Sequence, residues 1–173
     1  MKTITKQIEL YSFEELDEKA KEKAIKEEVD DLSENGLYFL SEDMQDALNQ
    51  LLEENKIEGN GKVYYSLSYS QGDGAMFEGN FIWEGLTVKI KQSGRCYNSN
   101  SKIIEIESPV NEDTTEAEKQ FEDIYQSICD LLKETGYRTI EENTSEECAK
   151  ENFIDQEATF TKDGKRYFED LSN

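Results

Sequence analysis

The chain has 173 residues, with 40 acids against 19 bases, no histidine and a formal net charge of −21. A domain of this length buries roughly two-thirds of the surface its unfolded chain exposes. An apolar share of 35%, with eight Phe, nine Tyr and one Trp, supplies a core and argues against wholesale disorder. The charge repels nucleic-acid phosphate and anionic membrane surfaces and attracts basic ones. The missing histidine removes the commonest general base, the usual zinc ligand and the Ser-His-Asp and Cys-His nucleophilic arrangements.

No stretch approaches the ~20 apolar residues of a membrane span. Residues 1–16 lack the apolar run of a signal peptide, so a cytoplasmic protein is expected. Cys96, Cys129 and Cys148 are odd in number and have no metal-type spacing. They read as reduced structural thiols.

In chain order, residues 3–11 alternate imperfectly and predict a first strand. Ser12 with Glu15 forms a capping box. It opens a helix from Phe13 to Leu32 whose stripe is Phe13, Leu16, Ala20, Ala24, Ile25, Val29 and Leu32. Asn35-Gly36 is its expected stop. A second helix is predicted over Glu42–Glu54, capped by Ser41, with Met44, Leu48, Leu51 and Leu52 inward. Gly59-Asn60-Gly61 is expected to turn. Strands are predicted over 63–69, 81–91 and 102–107, an antiparallel meander covered on one side by helices.

Pro109 ends that sheet. A third helix, capped by Thr114 or Thr115, is predicted to run to about Thr135 and stop at Gly136. Its stripe is Phe121, Ile124, Tyr125, Ile128, Leu131 and Leu132. A fourth spans about Ser145 to Gln156. Asp163-Gly164 then turns a short hairpin.

The expected architecture is one α+β domain over 1–173. Residues 1–58 hold a strand and two helices, 59–108 the sheet, and 109–173 two helices and the hairpin. About three to five strands and about four helices are expected. Residues 1–58 carry 17 acids and 7 bases, residues 59–104 carry 3 and 5, and residues 105–173 carry 20 and 7. The acidity therefore belongs to the helices, whose outer faces should be acidic.

Three glycines fall in the segment from Gln71 to Gly79, with Asp73 and Glu78 between them. Two carboxylates fall short of a calcium loop, which needs about five oxygen ligands, and no Gly-Lys-Ser/Thr makes it a phosphate loop. A structured hairpin loop is the expectation. Gln71, Asp73, Met76 and Glu78 are its candidate partner contacts. Tyr64, Tyr65, Tyr69, Phe77, Phe81 and Trp83, beside Lys62, Lys89, Lys91 and Arg95, could stack bases. Core and cross-strand packing accounts for them better in so acidic a chain. No catalytic residue, metal site or cofactor is expected.

Three segments together resemble a known family. They are Tyr11–Leu16 followed by Lys21–Ala24, then Tyr69–Gly79, then Thr144–Glu147 with Phe160–Tyr167. In this order they are similar to small phage and prophage proteins described as the antitoxin of a toxin–antitoxin stability system. The resemblance spans nearly the whole chain and is most specific in its middle segment. Glu27-Glu28-Val29 stands where a second aromatic is usual. It implies a bacteriophage protein acting in the bacterial cytoplasm and carries over no active-site residue.

The leading expectation is a phage inhibitor whose acidic helices occupy the basic nucleic-acid channel of a bacterial defence protein, such as a CRISPR effector. The partner is a protein with a basic nucleic-acid-binding surface, not nucleic acid itself or a membrane. Glu27, Glu28, Asp30 and Asp31 on the first helix, and Glu116, Glu118, Glu122 and Asp123 on the third, are the expected contacts. An antitoxin neutralising a protein toxin is the alternative. A small-substrate enzyme, needing a deep pocket and carboxylates of raised pKa, is a second.

Overall fold

In a computed structural model, described for residues 7–110 and 112–168, the chain is an α+β protein with four α-helices and two antiparallel sheets. It divides into two compact units, described separately. One is formed by the described parts of Met1–Tyr38 and Ile140–Asn173, the other by Phe39–Thr139.

In the first unit, β1 (Tyr11–Ser12) leads into a 3-10 turn (Phe13–Glu15) and α1 (Glu18–Asn35). α4 (Glu146–Asp155), β6 (Thr159–Phe160) and β7 (Arg166–Tyr167) follow later in the chain, and the strand order is β1-β6-β7. Residues 7–10 are not strand, so the predicted strand shrinks to β1; its positions 3–6 lie outside the described residues. The single predicted first helix is two pieces. The Ser12–Glu15 box is formed, but it closes only the 3-10 turn. Leu16 then turns extended (ψ 149°). Asp17 begins α1 afresh, its Oδ1 accepting from the Ala20 N–H at 2.9 Å. Breaking the helix there lets Leu16 join the core of Ala20, Ala24, Phe153, Ala158 and Phe160. α4, capped by Ser145, and the β6–β7 hairpin stand as read. Gly164 takes φ +82°, and a Cβ on it would lie 2.2 Å from the Ala20 carbonyl oxygen.

The second unit is a four-stranded meander in the order β2-β3-β4-β5. These are Glu58–Ser66, Gly74–Trp83, Leu86–Gln92 and Lys102–Glu107. One face of the sheet is closed by α2 (Leu40–Glu54) and α3, which runs Thr115–Asn143. α2 starts at Leu40, so Ser41 lies inside it instead of capping it. The inner face carries Val63, Phe77, Phe81, Trp83, Val88, Ile90 and Ile106, all buried. Against them lie Phe121, Tyr125, Ile128 and Leu132 of α3 and Met44, Leu48 and Leu52 of α2. Leu131 falls off this stripe and is 42% exposed.

Three further expectations fail for physical reasons. Gly59-Asn60-Gly61 is strand, not turn, paired with Phe81, Asn80 and Gly79. The Phe81 ring lies across this site: a Cβ on Gly61 would be 3.0 Å from its Cζ, and one on Gly79 2.8 Å. The run 81–91 is two strands, because Glu84 (φ 49°) and Gly85 (φ 79°) both take the positive φ of a tight hairpin turn. Gly136 does not stop α3. It is buried in mid-helix, where a Cβ would stand 2.4 Å from Leu67 Cδ1 and 3.0 Å from Met44 Sδ. Its bare backbone is a seat for the β2–β3 connection. On the outer edge of β2, the Gln45 amide donates to the Gly61 carbonyl (3.0 Å) and accepts from the Val63 N–H (3.2 Å). That covers part of a strand edge that would otherwise invite pairing.

Gly164→Ala should lower stability by about 3 kcal/mol, combining left-handed backbone strain with overpacking against backbone. Gly94→Ala, where a Cβ meets nothing within 4 Å despite φ +100°, should cost about 1 kcal/mol. Urea denaturation of the two variants measures the difference.

Candidate functional site

The motif singled out in the sequence divides at Gly74. Residues 67–73 are the β2–β3 loop, and Met76 and Glu78 belong to β3, not to the loop. Met76 is fully buried, so it is no partner contact. Glu78 accepts from the Tyr64 hydroxyl (2.7 Å) and the Gln92 N–H (3.4 Å). Gln71 is exposed at the loop apex.

Asp73 organises the loop. Its Oδ2 accepts from the Ser68 N–H (2.7 Å), the Ser70 N–H (3.0 Å) and the Tyr137 hydroxyl. Its Oδ1 accepts from the hydroxyls of Ser66, Ser68 and Ser70 at 3.3, 3.1 and 3.0 Å. Hydrogen bonds, that of Tyr137 first, hold the Asp73 carboxyl well below the usual range. Burial and the bond to Asp73 raise Tyr137, which stays a neutral donor. With both oxygens so engaged, Asp73 is a keystone of the loop and a poor cation ligand. Among the described residues no group of three or more acids or cysteines is placed to hold a metal ion.

The acids of the first unit are partly spent on structure. Glu27, Asp30 and Asp31 are exposed. Glu28 is not free for a partner: its Oε2 accepts from Arg166 at 2.9 Å, and its side chain is 11% exposed. Arg166 also donates to Gln156 (2.6 Å) and lies over the rings of Phe153 and Phe168 at 5.9 and 5.1 Å. Glu28 thereby ties α1 to the C-terminal hairpin. Lys23 does the same, donating to Asp163 at 2.8 Å and holding that carboxyl down at about 2. Glu27, Glu28 and Asp31 line a cavity of about 260 Å³ floored by Phe153 and Phe160.

In the second unit Glu116, Glu118, Glu122 and Asp123 are exposed on α3. Glu122 accepts from Lys102 at 2.7 Å, and Glu118 from Thr114 at 2.9 Å. Asp130 and Glu134 extend the row. α2 adds Glu42, Asp43, Asp46, Glu53 and Glu54, all exposed. None of these five is among the contacts expected from the sequence, although the stripe of Met44, Leu48 and Leu52 turns them outward. α2 holds no base, and residues 115–139 hold only Lys119, Lys133 and Arg138. A groove of about 580 Å³ lies among Ala47, Leu51, Leu131, Glu134 and Arg138.

The opposite sheet face mixes signs: Lys62, Lys89 and Lys91 stand among Glu58, Glu105 and Glu107, and Lys91 pairs with Glu105 at 3.1 Å. The six aromatics do not form one platform. Phe77, Phe81 and Trp83 are core, Tyr65 is half-buried, Tyr64 stacks on Tyr97 at 5.6 Å, and Tyr69 alone of the six is exposed.

Asp73→Ala should abolish amide-exchange protection at Ser68 and Ser70 while leaving β3 protected. The depressed folded-state pKa means that the Asp73 contacts stabilise fully above about pH 4, the ordinary Asp value. They are lost as pH falls through the folded value. For Asp163 the corresponding loss falls between about pH 4 and about 2. An NMR pH titration of the Tyr137 ring and the Lys23 Nζ signals checks both.

No family model matches this chain, and no curated protein and no solved structure is significantly similar to it.

Proposed function

We propose that the chain is an acidic binding protein of phage origin that occupies the basic nucleic-acid surface of a bacterial defence protein. The observation that carries this is the charge of the α2–α3 layer. Eleven acids (Glu42, Asp43, Asp46, Glu53, Glu54, Glu116, Glu118, Glu122, Asp123, Asp130 and Glu134) are exposed on two helices covering one sheet face, against three bases. Such a surface steers association with a basic one, and the attraction weakens as salt screens it. The phage origin rests on the three resembling segments. The contact face moves from the first and third helices, as expected from the sequence, to α2 and α3.

Glu15, Asp73, Asp113 and Asp163 are held low by hydrogen bonds and so keep their negative charge, as a charge-based binder needs.

Reversing Glu116, Glu118, Asp123 and Asp130 together to Lys should leave folding intact, since exposed substitutions usually change stability by about 0.5 kcal/mol or less. It should cut capture of basic nucleic-acid-binding proteins from bacterial lysate at least about tenfold at low salt, as loss of several complementary charges requires. Undiminished capture by a natively folded variant overturns the proposal.

A further inference from the structure

β2 and β5 are the outer strands of the meander, and their edges differ. On β2, Gln45 takes up the Gly61 carbonyl and the Val63 N–H. β5 has no such guard. The Ser93 N–H donates to the Ser101 carbonyl at 2.9 Å, which sets the alternation along the β4–β5 ladder. Odd-numbered positions of β5 bond toward β4 and even-numbered ones point away from it. The backbone N–H and C=O groups of Lys102, Ile104 and Ile106 therefore face outward. Among the described residues, nothing beyond β4 hydrogen-bonds to them. A row of open backbone groups is a template for another strand.

The side chains leave the same edge unfinished. Ile104 and Ile106 lie on the inner face with Lys102. Ile104 stands opposite Ile90, which is 2% exposed, yet Ile104 itself is only half-buried. Its open flank is the one turned away from β4. Ile103, on the outer face, is 50% exposed. Edge strands are commonly blunted by a bulge, a proline or an inward charge. β5 pairs without a bulge and contains no proline. Its inward charge, Lys102, is already engaged by Glu122 at 2.7 Å.

The strand specifies what completes it. A strand that continues the sheet must match inner face to inner face and bond through the even positions. A second β5, related by a two-fold axis at Ile104, meets both conditions. Ile104 then lies against Ile104 of the second copy, and Lys102 against Ile106 of the second copy. Every outward amide and carbonyl of the strand is paired. On the outer face Ile103 falls opposite Glu105 and Glu107 opposite Ser101, so no like charges stand directly opposed. An axis at Glu105 would set the two Glu105 carboxylates side by side and carry Lys102 past the strand end. An axis at Ile103 would carry Ile106 past it. The charge distribution agrees, since residues 59–104 hold 3 acids and 5 bases in a chain of net charge −21.

We propose that β5 is a self-association edge, pairing antiparallel with β5 of a second copy about a two-fold axis at Ile104 and joining the two meanders into one sheet. This is the isologous contact of a closed dimer, and it stands independently of the acidic-layer reading.

The test is sedimentation equilibrium of the full chain over a range of protein and salt concentrations, with amide hydrogen exchange on the same samples. A monomer–dimer equilibrium is expected. It should tighten as salt rises, because the net charge of each copy opposes the contact and salt screens it. The amides of Lys102, Ile104 and Ile106 should exchange more slowly as protein concentration increases. Ile104→Pro removes an N–H that the fold itself does not use, as an edge strand tolerates. It should keep a native circular dichroism spectrum and raise the dimer dissociation constant about tenfold or more, since each copy loses a hydrogen bond. Ile82→Ala, at a 52% exposed position on β3, should leave that constant unchanged. A chain that stays monomeric at every concentration and salt overturns the proposal. So does a dimer in which these three amides exchange at the monomer's rate.

Discussion

Phe77 is the contact on which the second unit depends. Its ring meets Phe81 edge-on at 5.7 Å and Tyr125 at 4.7 Å, and its carbonyl accepts from the Tyr125 hydroxyl at 3.4 Å. That hydrogen bond lets a tyrosine be buried without an orphaned hydroxyl. Burial holds the Tyr125 phenol far above its usual range and pushes the neighbouring Cys129 thiol up to about 12. Cys129 is thus an inert core residue. With Phe121 against Trp83 at 5.3 Å, these rings fix which side of α3 faces the sheet. Once that side is fixed, Glu116, Glu118, Glu122, Asp123, Asp130 and Glu134 fall on the exposed side of the helix, Glu122 paired with Lys102. The same pinning brings Gly136 and Tyr137 under the β2–β3 loop. The acidic row and the ordered loop are two consequences of one packing arrangement.

Where the structure agrees with the sequence, the determinants are local. β5 runs from Lys102 to Glu107 as its alternation dictates, Ser145 caps α4, and Asp163-Gly164 turns the final hairpin. Where it departs, the cause is a distant partner or a change of period. Gly136 reads as a helix stop until Leu67 and Met44 are seen against it. Gly59 and Gly61 read as a turn until Phe81 lies across the strand. The β3–β4 turn did leave a trace: buried positions run 81 and 83, then 88 and 90, so the parity changes at Glu84-Gly85.

The candidate site was legible in outline only. The glycine-rich segment stood out, but its meaning lies in Tyr137, 64 residues from Asp73. Ser66, Ser68 and Ser70 ahead of Asp73 were the available signal, since short hydroxyl and carboxylate side chains so spaced favour local turns. The α1 acids show the limit of counting charge. Glu28 is as acidic in sequence as Glu27, yet Arg166 takes it out of any partner's reach. The acids of α2, by contrast, belong to the surface and follow from its buried stripe.

A proposed acidic decoy of this kind would compete with nucleic acid for a basic protein surface through its α2–α3 layer. The most direct measurement is capture of bacterial proteins on the immobilised chain, followed by elution with double-stranded DNA at about 0.1 M salt and with about 1 M salt alone. Across that range the Debye length falls from about 10 to about 3 Å. The captured proteins should bind nucleic acid and leave the column under both conditions. A specific partner that neither DNA nor salt displaces would contradict it.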